Sequence, residues 1–378
     1  MDVKIIGSID EIAPDQWNAL AGTDNPFLRH EFLAALEHHG CVGERFGWYP
    51  QHLLALEGER LIGAVPLYLK DNSYGEFVFD WSWADAYQRS GLSYYPKGVV
   101  SVPYTPATGP RLLLAPGPET SDIADTLIDA ALVHARQLGL SSLHWLFTDE
   151  EGTRRLAQRG FMLRLGCQFH WSNPGYRDFD DFLAHLSAQK RKKIKRERRR
   201  VVEQDVVLEV LHGDEISDEQ WLAYHRFYAD TFERRGGLAT LNLEFFREIG
   251  RTMARNVVLV LASHGGRPVA AAFNVRGSDT LYGRHWGCSE DFHSLHFEAC
   301  YYQGLDYCIA NGLRRFEPGA QGEHKLTRGF MPTATWSAHW IENEAFRVAI
   351  GQFVAREQTA VQEYMDTLNE HSPYRHSD

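Results

Sequence analysis

The chain has 378 residues, of which 44% are hydrophobic and 24% are charged, the composition of a soluble globular protein with a length that suggests two domains. Its 39 Lys and Arg against 50 Asp and Glu give a net charge of −11, which argues against a protein that coats nucleic acid or anionic membrane over its whole surface. One segment opposes this balance, because Lys190–Arg200 holds nine basic side chains and one acidic side chain, a net charge of +8.

The first half of the chain predicts helices alternating with strands. A helix covers Pro14–Leu20, with Trp17 as its core anchor, and His52–Gly75 predicts a three-stranded meander with a glycine-containing hairpin. A longer helix follows, with apolar residues at helical spacing from Ile123 to Leu138 and Gly139 as its stop. A strand, a short helix and a closing strand complete this half.

An aromatic-rich segment, Phe77–Leu113, separates this meander from the long helix. The second half has no counterpart of comparable length, so we predict an irregular insertion. It forms either the wall of a pocket for an amphipathic or sugar-like acceptor, or a self-packed loop that covers the sheet. The binding candidates are Trp83, Asp85, Tyr87 and Tyr104.

The basic segment predicts a single charged helix over residues 181–204, joining the two halves. A phosphate-rich partner would relieve its self-repulsion, and its binding would depend strongly on salt. A solvated helix face and pairing with the acidic remainder are the alternatives. The polyanion-binding candidates are Lys190, Arg191, Lys192, Lys193, Lys195, Arg196, Arg198, Arg199 and Arg200.

The second half repeats the plan of the first. Ser217–Tyr224 predicts a helix anchored by Trp221, Val257–Gly283 predicts a meander, and a helix ending near Gly312 precedes another strand. We therefore predict an α/β protein, in the α+β mixed-sheet sense, with one right-handed crossover per half. The predicted parts are residues 1–180, the linker helix 181–204, residues 205–345, and a C-terminal helix with a frayed tail over 346–378.

The segment Pro318–Lys325 is the first candidate site, because it follows a predicted strand and contains two glycines that permit close backbone approach. Glu323 or His324 is suited to act as a base, and Lys325 or Arg328 to bind an anion. The alternative is a polar turn whose glycines only meet its backbone geometry.

The segment Tyr282–Cys288 is the second candidate site. Strand alternation places Arg284 and Trp286 on one face and His285 on the other, where His285 is either catalytic or a buried structural residue. Glu298, which opens an apolar helix, is either a pocket acid or a carboxylate favoured by the helix dipole.

The sequence disfavours disulfides, metal sites, two classes of hydrolase, and a secreted or membrane-spanning protein. The five cysteines are odd in number and contain no C-x-x-C pair, so neither a disulfide framework nor structural zinc is expected. H-E-x-x-H and G-x-S-x-G are absent, which disfavours a metalloprotease or a serine hydrolase. No metal site is predicted. No signal peptide or membrane span is recognisable, so we predict a cytoplasmic protein.

Three stretches resemble the FemAB-like family of tandem GNAT acyltransferases. They are LSAQKRKKIKRERRRV, LHFEACYYQGLDYCIANGLRRFEPGAQGEHK and, most distinctive, FEPGAQGEHKLTRGFMPTATWSAHW. The resemblance spans most of the chain and implies two GNAT-like domains and transfer of an acyl or aminoacyl group to an amine. Within the family, the chain is similar to a bacterial branch of predicted N-acyltransferases, whose substrates the resemblance does not identify.

The resemblance implies a donor that is a co-substrate, not a tightly bound cofactor. GNAT enzymes that use acetyl-CoA carry a Q/R-x-x-G-x-G/A loop for the pyrophosphate. Gln88–Ser93 matches this loop poorly, and the acidic Gly287–Ala299 would repel a pyrophosphate. Aminoacyl-tRNA is therefore favoured over acyl-CoA. The implied acceptor is a small molecule or a cell-wall precursor bearing an amine, which would make the protein peptidoglycan-related.

Acyl transfer to an amine needs a base for the amine proton and donors for the oxyanion. We assign Glu323 and His324 as the acid/base pair, with His285 as a further catalytic candidate. The remaining substrate-binding candidates are Arg284, Trp286, Glu298, Gln321, Lys325 and Arg328. Two alternatives stay open: an acyl-CoA-dependent acetyltransferase with a degenerate loop, and a non-catalytic fold that binds RNA or another anion.

Overall fold

The computed structural model describes residues 1–320 and 322–375. In this part of the chain the strands are β1 Asp2–Ile6, β2 Trp48–Pro50, β3 His52–Glu57, β4 Arg60–Val65, β5 Leu67–Lys70, β6 Lys97–Val100, β7 Leu113–Leu114, β8 Ser142–Thr148, β9 Met162–Ser172, β10 Val206–His212, β11 Val257–His264, β12 Arg267–Arg276, β13 Thr280–Cys288, β14 Arg315–Glu317 and β15 Met331–Ile341.

The helices are α1 Pro14–Ala21, α2 His30–His38, α3 Trp81–Arg89, α4 Thr120–Gln137, α5 Glu150–Gln158, α6 Phe179–His185, α7 Ala188–Val202, α8 Asp218–Arg234, α9 Leu243–Thr252, α10 Leu295–Phe297, α11 Gln303–Ala310 and α12 Glu344–Glu370. A π-helical turn, Glu298–Tyr302, joins α10 to α11, and Glu323–Arg328 forms a short 3₁₀ helix.

The chain divides into two compact units. Unit 1 comprises Met1–Cys167 and Ala334–Tyr364, and unit 2 comprises Gln168–Thr333 and the segment from Met365 onward. These bounds differ from the predicted ones near residues 180 and 345. The boundaries lie inside the long strands β9 and β15 and inside α12, where no local pattern in the sequence predicts a division, and the basic segment belongs to unit 2.

Unit 1 contains an antiparallel meander made of three bent strands. The first bent strand consists of β2 and β3, the second of β4 and β5, and the third of β6 and β7. The first pairs with the second through β3 with β4 and β2 with β5. The second pairs with the third through β4 with β7 and β5 with β6. β1 lies antiparallel to β3, and β8 lies parallel to β6. The predicted mixed α/β architecture is confirmed.

The predicted position of the third strand in this meander was wrong. The second strand continues past Pro66 to Lys70, and Lys70 pairs in register with Lys97 of β6. The aromatic-rich segment therefore lies within the meander and not after it. It is also less irregular than predicted, because it contains α3.

The aromatic segment supplies two excursions from the meander. Residues 71–96 replace the hairpin that joins the second and third strands, and residues 101–112 interrupt the third strand between β6 and β7. At the equivalent positions, unit 2 has the short turn 277–279 and a register shift of one residue at Arg284. The two units therefore share one plan, with unit 1 the more elaborated copy.

Unit 2 contains the meander predicted over Val257–Gly283. β10, β11, β12 and β13 pair antiparallel in that order, and β14 then lies parallel to β13. The end of β9 completes the sheet beside β14. The predicted helix anchors are confirmed in both units, because Trp17 on α1 and Trp221 on α8 are buried.

The single helix predicted over residues 181–204 is divided into α6 and α7, and the whole basic segment lies in α7. Leu186 and Ser187 separate the two helices, and Leu186 forms an antiparallel β-bridge with Tyr374 of the C-terminal segment. The Ser187 N–H also donates to the Pro373 carbonyl at 2.9 Å. The tail is thus ordered through Tyr374, contrary to the predicted fraying, and residues 376–378 lie outside the described part of the chain.

Candidate active site in unit 2

The parallel strands β13 and β14 meet over only three residue pairs, from Thr280 with Arg315 to Tyr282 with Glu317. Beyond that point the register shift adds Arg284 to β13, and β14 ends in the loop that starts at Pro318. The carboxyl ends of parallel strands are where α/β proteins commonly place ligands. The segment predicted from its glycines therefore begins at such a strand end.

The equivalent strand end in unit 1 is occupied by protein. The excursion 101–112 runs beside β8, with Gly109 bridged to Thr148. The buried Arg111 guanidinium donates to the carbonyls of Leu146 and Ala107, both at 2.8 Å, and to that of Gly109. This filling makes unit 2 the better candidate for the reaction site.

The loop after β14 is shaped by two glycines and a lysine. Gly319 and Gly322 have φ of 93° and 114°, a region that side chains other than glycine rarely adopt. Lys325 is buried, and its Nζ donates to the Gly319 carbonyl at 2.6 Å. Burial lowers the pKa of Lys325 to about 8. Lys325 therefore supports the backbone of this loop, whereas its contact with an anionic substrate group stays a prediction.

His324 lies exposed on the 3₁₀ helix and hydrogen-bonds Tyr301, with Nε2 and Oη separated by 2.8 Å. Partial burial and the positive charges of Arg328, Lys325 and Lys193 lower the pKa of His324 below its usual value. The imidazole is therefore neutral at neutral pH, the form that accepts a proton. Glu323, its predicted partner, is exposed at the start of the same helix.

Arg328 is buried and engaged with protein groups. Its Nη2 contacts both oxygens of Glu197 at 2.9 and 3.0 Å, its Nε donates to Tyr302 Oη at 3.0 Å, and its Nη1 donates to the His324 carbonyl at 2.7 Å. Tyr302 Oη also donates to Glu197. The prediction that Arg328 binds an anionic substrate is corrected, because its donors already serve this network.

The register shift in β13 also overturns the predicted alternation. His285 packs against Tyr228, with ring centroids 4.9 Å apart, and the Arg284 guanidinium interacts electrostatically with the same tyrosine. Trp286 instead contacts His296 at 5.3 Å. An extra residue in a strand puts neighbouring side chains on one face, which a strict period of two does not predict. Burial lowers the pKa of His285 well below its usual value.

Four of the nine basic side chains of α7 are paired within unit 2. Arg198 contacts Glu298 at 3.0 Å and Asp306 at 2.8 Å, so its predicted polyanion role is not supported. The other three are Lys195 with Asp180, Arg199 with Glu203, and Arg200 with His293. Within the described residues, no ion pair engages Lys190, Arg191, Lys192, Lys193 or Arg196.

Glu298 lies buried in the π-helical turn, where its Oε1 accepts from Gln303 at 2.7 Å and pairs with Arg198. Burial raises the pKa of Glu298. Its position supports the structural alternative for this residue. Gln321, a further predicted binding residue, lies outside the described residues.

Two buried residues at the strand end were missed by the sequence analysis. Glu317, the last residue of β14, has Oε1 at 3.9 Å from His170 Nδ1 and at 3.9 Å from Arg315 Nη1. Burial lowers the pKa of His170 to about 3. A glutamate at the end of a short strand was the only local signal for this pair, and the strand that carries His170 is distant in sequence.

The four aromatic-segment candidates in unit 1 do not line one pocket. Trp83 is buried against His339, with ring centroids 5.1 Å apart, and Tyr104 is buried with its hydroxyl donating to the Cys41 carbonyl at 2.7 Å. Both therefore belong to the core, as the self-packed alternative requires. Asp85 is exposed and pairs with Arg89, and Tyr87 packs against Phe346.

A buried lysine holds the excursion 71–96. Lys97 Nζ donates to Ser73 Oγ at 2.9 Å, to Glu76 Oε2 at 2.8 Å and to Asp80 Oδ2, and Tyr94 Oη donates to Asp80 at 2.6 Å. Burial opposes ionisation of both carboxyls. Burial raises the pKa of Glu76 to about 7. At Asp80 the effect of burial is smaller than the opposite effect of Lys97 and His144, so the pKa of Asp80 is lowered to about 2.

We expect this cluster to make stability depend on pH. Because folded Glu76 holds its proton more tightly than unfolded Glu76, its contribution is full below about pH 4.5 and is lost as pH rises through about 7. Glu76→Gln should remove this loss, whereas Glu44→Gln, at an exposed site, should keep it. Urea unfolding from about pH 5 to about pH 8 measures the effect, and identical slopes in all three proteins would contradict it.

Among the described residues, no helix combines the length and the hydrophobicity that a membrane span requires. The model of the FemAB-like family, described as peptidoglycan biosynthesis/recognition, matches residues 8–376. A search of curated proteins finds no match.

FemX and L-PGS are among the solved structures that are similar in fold. FemX has a TM-score of 0.57 and 11% identity over 93% of this chain and 100% of its own. L-PGS from Bacillus licheniformis has a TM-score of 0.53 and 12% identity over 93% of this chain and 99% of its own. At this identity the likeness shows the fold, two tandem GNAT-like units.

Proposed function

Because the chain belongs to the FemAB-like family, we propose that it is an N-acyltransferase that moves an acyl or aminoacyl group from an anionic donor to an amine. The observation that carries this proposal is the neutral, exposed His324, paired with Tyr301 beside the basic helix α7. Unit 2 supplies the chemistry, since its strand end lacks the excursion that fills the equivalent place in unit 1.

His324 acts as the general base. In the tautomer whose Nε2–H donates to Tyr301 Oη, the lone pair of Nδ1 is available to take the amine proton. Burial raises the pKa of Tyr301, which keeps this phenol neutral and holds the imidazole in place. The amine nitrogen attacks the acyl carbonyl carbon, and the protonated imidazole then returns the proton to the leaving group as the donor bond breaks.

The anionic donor docks along the unpaired part of α7. Lys193 is close enough to His324 to lower its pKa, so a phosphate near Lys193 would bring the donor to the base. Lys192 and Arg196 are exposed and extend this surface. Aminoacyl-tRNA is the donor that best matches such a row of cations, and a peptidoglycan precursor is one acceptor consistent with the family.

Salt-dependent binding of fluorescent aminoacyl-tRNA tests the donor. Each phosphate contact contributes to the slope of binding against salt, so Lys192→Gln/Arg196→Gln should lower that slope by about two. The matched control Lys195→Gln/Arg199→Gln removes two cations that are already paired, and its slope should change less.

Three other results would each change the proposal. Equal slopes in both double variants would remove α7 as the docking surface. Tight calorimetric binding of acyl-CoA without tRNA binding would select the acyl-CoA alternative. Binding of tRNA with no acyl transfer to any amine would select the non-catalytic, anion-binding alternative.

A further inference from the structure

A second histidine, His296, lies beside the proposed base in unit 2. It belongs to the short helix α10, and the centroid of its ring is 6.1 Å from that of His324. The side chain of His296 is partly exposed. The proton transfer assigned to His324 needs only one imidazole, so the presence of a second one at this place requires its own explanation.

The surroundings of His296 are aromatic. Its ring centroid lies 5.3 Å from that of Trp286, 5.4 Å from that of Phe297 and 5.5 Å from that of Tyr301. No hydrogen bond engages its ring nitrogens within the described part of the chain. A phenyl ring would pack in such surroundings without the cost of a polar group that lacks a protein partner. A polar partner supplied by the substrate explains why this ring is an imidazole.

The two histidines are held by the same aromatic rings. Tyr301 hydrogen-bonds His324 and contacts the ring of His296, and the ring of Phe297 contacts both imidazoles. In acyl transfer, the attacking nitrogen and the carbonyl oxygen are bonded to one carbon. The base and the oxyanion donor must therefore be neighbours, each about 3 Å from its atom. Imidazoles whose centroids are 6.1 Å apart meet this requirement.

The charge state of His296 suits a hydrogen-bond donor. Burial and the positive charges of nearby groups, His324 and Arg328 among them, lower the pKa of His296 to about 4. At neutral pH the imidazole is therefore neutral and carries one N–H. A neutral imidazole can polarise a carbonyl oxygen, and it adds no charge that would further weaken His324 as a base.

We propose that the N–H of His296 stabilises the oxyanion formed during acyl transfer, which makes His296 a second catalytic residue. As the amine nitrogen bonds to the acyl carbon, the π electrons of the carbonyl group move to its oxygen, which accepts the hydrogen bond from His296. His324 holds the amine proton. The C=O bond then re-forms, the bond to the leaving group breaks, and the leaving group takes the proton from His324. This inference rests on the proposed function, because it concerns the same reaction.

Two substitutions of His296 distinguish an oxyanion donor from a packing residue in assays of acyl transfer to an amine. His296→Phe keeps a ring and removes the N–H, so it should lower kcat by about 10²- to 10³-fold and leave the KM for the donor unchanged. His296→Gln removes the ring and keeps an N–H donor, so it should stay within about tenfold of the parental kcat. A packing role predicts the opposite order.

The control His264→Phe makes the same change at another partly exposed histidine of unit 2, whose ring centroid lies 5.1 Å from that of Phe292. It should transfer at the parental rate. Parental activity of His296→Phe, or a loss in His296→Gln at least as large as in His296→Phe, would overturn the oxyanion role and leave His324 as the base. Full activity of His324→Gln, or no transfer by the parent, would contradict the proposed function and this inference with it.

Discussion

Replacing Arg328 by Met should lower the free energy of unfolding by about 3–5 kcal/mol, because it leaves the Glu197 carboxylate buried without its guanidinium partner. Tyr302 would still donate to Glu197, but one hydroxyl cannot compensate a buried charge. Urea unfolding at neutral pH measures the change.

Two variants determine whether burial is the cause. Arg154→Met breaks an ion pair with Glu151 in which both side chains are about half exposed, and should cost less than about 1 kcal/mol. Arg328→Met/Glu197→Met removes both charges and should recover most of the loss. If the double variant is as unstable as Arg328→Met, the loss comes from packing and not from an unpaired charge.

Replacing His324 by Gln should reduce the rate of acyl transfer by about 10²- to 10⁴-fold, the range expected when a general base is removed. The fold should persist because His324 is exposed. The rate limb that rises with pH should have its midpoint below 6.5 in the parent, since the pKa of His324 is lowered, and should disappear in the variant.

The control for this variant is His185→Gln, which changes an exposed histidine elsewhere in unit 2. It should transfer at the parental rate. Full activity of Glu323→Gln would show that Glu323 takes no part in the proton transfer and that His324 acts alone. Full activity of His324→Gln would contradict the assignment of the base.

Much of the fold was predictable because its signals are local. Gly139 and Gly312 end helices with positive φ, and Trp17 and Trp221 sit on amphipathic helices, so short windows of sequence identify them. The third strand of unit 1 was not predictable, because the pairing of Lys70 with Lys97 spans an excursion and depends on partners that only the folded sheet provides.

The sequence predicted the loop that carries the candidate site, but not the contacts of the side chains around it. The glycines of the segment after β14 marked a loop at a strand end, and the loop is there. Arg328 was misassigned because its partner Glu197 lies on another helix, far away in sequence. The face of β13 that Arg284 occupies was mispredicted, because a register shift of one residue changes the face on which a side chain lies.

The basic run shows the same limit. Its charge is obvious from sequence, but which cations are available depends on acids such as Asp306 and Asp180 that folding brings to α7. The structure reduces nine candidates to five, and these include Lys193 beside the proposed base.

The most direct test of acyl transfer by unit 2 is mass spectrometry of amine acceptors incubated with the purified protein and a labelled donor, supplied as aminoacyl-tRNA or acyl-CoA. We predict an acceptor whose mass increases by that of the acyl group, formed by the parent and by His185→Gln but not by His324→Gln. Formation of the same product at the same rate by His324→Gln, or no acylated amine from either donor, would contradict the account.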